Sequence, residues 1–229
     1  MAKEIPKERS RLIKITLVSF LLLGFFLIVL TVEKGQITFT TGLIYIALIL
    51  LTLPVILFWE KIPKKRKNFQ LYGIQDDWFL DLMVGLAVAG GFLVVRNILP
   101  FSFLGWVIPD TTPLATGPQV ATVLGIAPIV EELFFRVMFF AVLYGVLGLP
   151  FWIASPINNI GFSSYHVIAY ANELALDPII SVSGAFITAG LAGMVMDGVN
   201  YWRGSATTSW GTHFGFKFSS WLSGALTLG

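Results

Sequence analysis

Between Pro118 and Leu147 an otherwise apolar run carries two adjacent carboxylates and a guanidinium, Glu131, Glu132 and Arg136, in the stretch Ala127 to Arg136 (APIVEELFFR). A charge at the centre of a bilayer costs roughly 2.5 to 3.5 kcal/mol on the lenient insertion scale, so three together must be turned toward a protein interior. On a helix Glu132 and Arg136 stand at i and i+4 on one face and can pair, while Glu131 points about 100° away from Glu132. That pairing leaves Glu131 as the unpaired carboxylate, and an unpaired acid at this depth is the first candidate for a general base.

The surrounding chain is built for lipid. Of 229 residues 56% are hydrophobic and only 12% charged, well outside the usual balance of a soluble domain. The net charge is only +2, yet ten of the fifteen Lys and Arg residues lie in Lys3 to Lys14 and Lys61 to Lys67. Basic clusters flanking hydrophobic spans are the positive-inside signal rather than a nucleic-acid surface, and both place the N-terminus in the cytoplasm. There are no cysteines, which excludes disulfides, a thiol nucleophile and a Cys-ligated metal. Two histidines, His166 and His213, are all the imidazole available.

Taken in order, Leu12 to Val32 is long enough to cross the hydrocarbon and lacks the short core and cleavage site of a signal peptide. Ile37 to Trp59 returns, with Trp59 expected at the interface, and the basic loop KIPKKRK follows. A third span opens at Asp76, Asp77, Trp78 and Asp81 and ends near Leu99, with Arg96 able to snorkel; Pro100 to Pro118 is an external loop. The fourth span carries the acidic motif, and Pro128 is expected to kink it ahead of Glu131. After a turn at Gly148 to Pro150, the fifth span, Phe151 to about Tyr170, is polar for its depth, holding Ser155, Asn158, Asn159, Ser163, Ser164 and His166. Asn172 to Asp177 is a loop, Ile179 to Met196 a Gly- and Ala-rich sixth span suited to close packing, and Asp197 to Gly204 a polar connection; Ser205 to Leu228 is the last span, with His213 and Lys217. The expectation is an all-α, multi-pass membrane bundle of about seven (six to eight) transmembrane helices in one domain, 1–229, with the C-terminus outside.

From the span ends, Glu131, His166 and His213 each lie roughly ten to thirteen residues deep, near the midplane at 1.5 Å per residue. A carboxylate with one or two imidazoles is equipment for activating water, either by taking its proton or by sharing a metal; the electrophile would be a carbonyl, and a donor on the last helix could stabilise the oxyanion. Each residue also has a plainer reading. Glu132 with Arg136 could simply pin helices together, a histidine in a bundle is often only a hydrogen-bonder, and Asn158, Asn159 and the serines could be interhelical glue.

EELFFR fits the signature EExxxR, Phe162 to His166 (FSSYH) fits FxxxH, and His213 fits the histidine opening HxxxN. With these motifs in order on separate spans, the chain from about Asp77 onward resembles the CPBP family, the CAAX-processing endopeptidases and their bacteriocin-processing relatives. The resemblance implies a glutamate protease fold, a protease-like core at 77–229 preceded at 1–76 by two spans and a basic cytoplasmic loop. It implies that Glu131 and His166 position and activate the water, that Glu132 and Arg136 form a supporting pair beside Phe162, and that His213 stabilises the oxyanion. Members are commonly called metalloendopeptidases, and Glu131, His166 and His213 could bind one zinc or work without it. One position departs from the pattern: HxxxN reads HFGFK, so Lys217 stands where the family has an asparagine. Lys217 could donate to the oxyanion, pair with Glu131 or Glu132 and block the water site, or snorkel away, with Asn158, Asn159 or Asn200 taking the missing role.

The expected function is therefore an intramembrane endopeptidase acting on a membrane-tethered or lipidated peptide that enters from the bilayer, in a plasma membrane if the chain is prokaryotic. Membrane lipids are the other expected partner, and nucleic acid is not one. Two alternatives stand beside it: an inactive family member serving as an immunity or scaffold protein, which Lys217 favours, and a small proton-coupled transporter, which would call for internal repeats that the sequence lacks.

Overall fold

The computed structural model describes residues 7–33, 39–66, 71, 77–98, 127–173 and 178–227. Most of these are helical, with no strand among the described residues. They form seven rods: α1 (Lys7–Glu33), α2 (Phe39–Phe58, closed by the 3₁₀ turn Trp59–Lys61), α3 (Trp78–Ile98), α4 (from Ala127 to Val146), α5 (Phe151–Glu173), α6 (from Pro178 to Arg203) and α7 (Ala206–Thr227). Among the described residues three stretches are long and apolar enough to cross a membrane: Arg11–Leu30, Phe39–Lys61 and Val182–Arg203. The expected loop Pro100 to Pro118 and the side chain of Arg96 lie outside the described residues.

The outside of the bundle is as apolar as the inside. Leu17, Leu21 and Ile28 of α1 meet Leu48, Ile49 and Ile56 of α2 in the core, while Leu12, Leu22 and Phe26 of α1 and Leu50 and Leu51 of α2 face outward. A soluble domain does not leave so much apolar surface bare, whereas a lipid-facing one must. The polar residues are inside: Glu131, Glu132, Arg136, Asn158, His166, Asp197 and His213 are all buried.

Several expectations are corrected. Trp59 is buried rather than interfacial, lying beneath Lys64, whose Nζ sits 4.7 Å over its ring and donates to its carbonyl at 2.7 Å. Among the described residues, Trp78, Trp152 and Trp202, at helix ends, are exposed. Pro128, expected to kink this span, stands at the edge of the described residues, which begin at Ala127, so the chain ahead of it lies outside them. A departure from α geometry follows Glu132, as π-helix over Leu133–Phe139 and Val142–Val146, a feature common at functional sites. Asp197 to Gly204 is not a connection. The α-helix runs on to Arg203, and the turn is Gly204 with Ser205, Gly204 adopting φ 66° while its N–H caps the Asn200 carbonyl at 2.7 Å. So tight a turn sets α7 directly alongside α6.

At the same end of the bundle the basic loop is packed down rather than free. Arg66 donates to the carbonyls of Tyr144 (3.1 Å) and Leu149 (3.4 Å), and the N–H groups of Lys65 and Arg66 reach Val146 and Gly145. These contacts satisfy carbonyls at the end of α4 that have no helical partner. Lys14 pairs with Glu60, tying α1 to the end of α2, and Asp81 of α3, buried, takes Arg203 Nη2 at 2.6 Å and Nε at 2.8 Å.

Helices α3 and α7 are each other's principal partners, and glycines set their spacing. A Cβ on Gly85 would collide with the Thr208 carbonyl and lie 2.8 Å from the Thr212 nitrogen; one on Gly211 would lie 2.8 Å from the Leu82 carbonyl. A Cβ on Gly90, further along α3, would meet nothing within 4 Å. We predict that Gly85→Ala destabilises by about 1–3 kcal/mol through overpacking against backbone, whereas Gly90→Ala is neutral or stabilising by about 0.4–1 kcal/mol. Thermal melting of the two variants in detergent checks this, and equal melting temperatures would remove glycine packing as the determinant of the α3–α7 distance.

Candidate active site

The buried guanidinium of Arg136 comes first, because it has the largest desolvation cost to offset. Its Nε lies 3.3 Å from Asp197 Oδ1 and 3.5 Å from Glu132 Oε2, and its guanidinium carbon stands 4.1 Å from the centre of the Phe162 ring. Glu132 and Arg136 therefore do face each other, but the nearer carboxylate is Asp197. Asp197 also accepts from Ser155 Oγ (2.8 Å), Asn158 Nδ2 (2.9 and 3.2 Å to its two oxygens) and Asn159 Nδ2 (2.7 Å). The polarity of the fifth span is thus explained: these side chains hold one carboxylate from α6. Gly193 makes room for them, since a Cβ there would strike the Asn159 amide and come within 2.8 Å of Arg136 Nη2.

Glu132 serves two partners. While Oε2 faces Arg136, Oε1 accepts from Nδ1 of His213 at 2.8 Å. A carboxylate on Nδ1–H fixes the tautomer and the ring plane and leaves Nε2 as the nitrogen that faces inward. The same logic holds for His166, whose Nδ1 donates to the Phe162 carbonyl at 2.9 Å, one helical turn back. Phe162 thereby has two roles, its carbonyl orienting His166 and its ring covering Arg136.

Both inward nitrogens approach one oxygen. Oε2 of Glu131 lies 3.6 Å from His213 Nε2 and 4.0 Å from His166 Nε2, and has no hydrogen-bond donor among the described residues. The other oxygen, Oε1, accepts from two phenols, Tyr45 at 2.9 Å and Tyr165 at 3.1 Å. Glu131 is therefore not the solitary acid that its neighbours in sequence suggest. One oxygen is held, and the other shares a small space with two imidazole nitrogens. Three lone-pair-bearing atoms facing one point attract whatever can donate to them, and a water molecule is the simplest such guest.

Zinc is a poorer match for that point. Bonds of about 2.0–2.1 Å in a tetrahedron put ligand atoms roughly 3.3 Å apart, closer than the 3.6 and 4.0 Å found here, and no group of three His, Asp or Glu side chains among the described residues is arranged to hold a metal ion. Lys217, half-buried one turn beyond His213, adds a positive charge that acts on both Glu131 and His166. Lys217 makes no contact-distance ion pair with Glu131 or Glu132. Asn158 and Asn159 donate their amide N–H groups to Asp197.

Residues 113–219 match the family model described as type II CAAX prenyl endopeptidase Rce1-like. That segment, 107 of the 229 residues, is what is similar to the Rce1-like family. The match agrees with the motif resemblance to the CPBP family and supports, in general terms, a CAAX-type protease in a membrane protein. Neither a curated protein nor a solved structure matches the chain. The Rce1-like segment holds Glu131, Glu132, Arg136, Phe162, His166, Asp197, His213 and Lys217; Tyr45 lies ahead of it.

Sequence reasoning did not single out Asp197, Tyr45 or Tyr165. Asp197 was legible through Gly204, a helix-ending glycine that extends the sixth helix past the acid. Tyr45 was legible as a tyrosine away from the ends of an apolar span, where a phenol O–H needs a buried partner. Because Asp197 gathers four side chains, Arg136 included, Asp197→Ala should cost about 3–5 kcal/mol, the scale for stranding a buried charge. Glu132→Ala should cost less, since Asp197 remains beside Arg136. Melting of both variants measures the order, and a larger loss in Glu132→Ala would show that Glu132 is the principal counter-ion.

Proposed function

We propose that the protein is an intramembrane endopeptidase that hydrolyses a peptide bond of a membrane-tethered or lipidated substrate, prenylated peptides included. The observation that carries this reading is the approach of both histidine Nε2 atoms to the single unbonded oxygen of buried Glu131. A water held among them is oriented by His166 Nε2 and Glu131 Oε2. As its oxygen bonds to the substrate carbonyl carbon, its proton passes to Glu131 Oε2. The carbonyl electrons move onto oxygen, giving a tetrahedral oxyanion. Charge on that oxygen is met by His213, whose Nε2 donates when the ring is charged and whose Nδ1 partner Glu132 balances that charge, and by the Lys217 ammonium. Collapse of the oxyanion breaks the C–N bond, and Glu131 returns its proton to the leaving nitrogen. The products are a carboxylic acid and an amine.

In this reading Lys217 replaces an asparagine dipole by a full charge. It strengthens oxyanion stabilisation if it stays clear of Glu131, and the lack of a contact ion pair favours that outcome. The proposed orientation rests on the basic loop: the end of the bundle with Lys61, Lys64, Lys65 and Arg66 faces the cytoplasm, with the N-terminus on the same side of a multi-pass chain. For a prokaryotic chain the membrane is the plasma membrane.

The test is cleavage of a panel of membrane-inserted and lipidated peptides by the purified protein, by Glu131→Gln and by Lys217→Asn. We expect hydrolysis by the unmodified protein and its loss by at least about 10²-fold in Glu131→Gln at unchanged melting temperature. Retained turnover in Glu131→Gln would remove Glu131 from the mechanism. Silence from the unmodified protein with activity in Lys217→Asn would identify a fold kept for a binding or scaffold role, its water site closed by one charge.

A further inference from the structure

The two oxygens of Glu131 are used unequally, and one of the residues responsible lies outside the Rce1-like segment. Tyr45 belongs to α2, 86 residues before Glu131, and its hydroxyl reaches Oε1 at 2.9 Å. It sits on the buried stripe of that helix with Leu48, Ile49, Thr52 and Ile56, and is only 7% exposed. Tyr165, which donates to the same oxygen at 3.1 Å, precedes His166 in the chain. The two phenol rings meet edge to face, 6.0 Å between centroids at 65°, so each ring limits the other's freedom to swing away from the carboxylate.

A carboxylate in a dry interior turns about its Cγ–Cδ bond unless its oxygens are distinguished. Here two donors hold Oε1, and none among the described residues holds Oε2. Exchanging the oxygens would break two hydrogen bonds to a charged acceptor in a low-dielectric site, where such bonds are strong. Oε2 is therefore kept on the side of His166 and His213.

We propose that Tyr45 is a positioning residue of the active site: with Tyr165 it pins Oε1 of Glu131, so that Oε2 alone takes the proton from water and returns it to the leaving nitrogen. The α1–α2 hairpin then supplies a wall of the site rather than an anchor beside it, and residues 113–219 do not make a complete active centre. This inference rests on the peptidase reading of Glu131. It deepens that reading by making one named oxygen the proton carrier.

The test uses the full chain in lipid nanodiscs, with Tyr45→Phe, Tyr165→Phe and the pair. The infrared carboxylate stretch of Glu131 is isolated as the difference between the unmodified protein and Glu131→Gln, and kcat and KM are measured on a cleaved peptide. We expect Tyr45→Phe to displace the Glu131 band and to lower kcat about 10- to 100-fold with KM within about twofold, as for loss of one oriented hydrogen bond to a charged group. The pair should lose more than either single variant. Placing 3-fluorotyrosine at position 45, a stronger donor of nearly the same shape, should restore kcat and move the band opposite to phenylalanine; it keeps the test open where Tyr45→Phe does not fold. A band unmoved by loss of the Tyr45 hydroxyl overturns the inference, and so does a displaced band with kcat and KM unchanged. If the unmodified protein cleaves no peptide, the peptidase reading fails on its own, and the band still decides whether Tyr45 orients Glu131.

Discussion

Arg136 is a full charge buried among helices whose outer surfaces face lipid, and the polar interior is arranged around compensating it. A lone guanidinium in such a place would cost several kcal/mol. Two carboxylates reduce that cost, Asp197 at 3.3 Å and Glu132 at 3.5 Å, together with the face of the Phe162 ring. Each brings further residues with it. Asp197 fixes Ser155, Asn158 and Asn159 and so locks α5 to α6; Glu132 fixes His213 and so locks α4 to α7. The imidazole that meets Glu131 is thus oriented by a chain of contacts starting at the arginine. Stability and positioning are one network here, because ion pairs that compensate burial also set side-chain angles.

The three motifs were legible because midmembrane charges and imidazoles are expensive and thus informative wherever they occur. Glu131, Glu132, Arg136, His166 and His213 stand out against apolar neighbours, and their convergence is implied once each is placed near midspan. Asp197 was hidden by its company: Asn200, Arg203 and Gly204 come soon after it, and that cluster has the composition of a loop. Composition could not convey that the helix continues to Arg203, whose charge is met by Asp81 on another helix 122 residues earlier in the chain. Tyr45 was hidden for the opposite reason, since a tyrosine in an apolar span resembles its neighbours until the partner of its hydroxyl is known. Trp59 shows the same limit: its place at a span end predicts an interfacial anchor, and only the fold of the adjoining loop puts Lys64 over it. Local pattern identified the groups that lipid forbids, while long-range pairing decided which partner each exception touches.

The π-helical turns after Glu132 account for how one helix serves so many partners. In a regular α-helix Glu131, Glu132, Phe135 and Arg136 span an arc of about 140° at 100° per residue. All four are buried here, the acids toward His213, Arg136 toward α6 and Phe135 against Phe162 and Tyr165. Widening the helix over Leu133–Phe139 shifts the register of its C-terminal half and sacrifices intrahelical hydrogen-bond quality to aim these groups, which is why such turns accumulate where side chains must converge.

Lys217 is then best judged by charge balance. If ionised together, Glu131, Glu132 and Asp197 would oppose Arg136 alone with an asparagine at position 217, leaving two negative charges; the lysine leaves one. In a low-dielectric interior an uncompensated charge is costly in proportion to its isolation, so a cation beside the water site stabilises the ionised cluster as a whole. A single added proton, shared among Glu131 and the two imidazoles, completes the balance, and it corresponds to the proton that the proposed mechanism has Glu131 carry from water to nitrogen. The cation that threatens the site by attraction to Glu131 is, held clear of it, the charge that lets three carboxylates remain together within one membrane bundle.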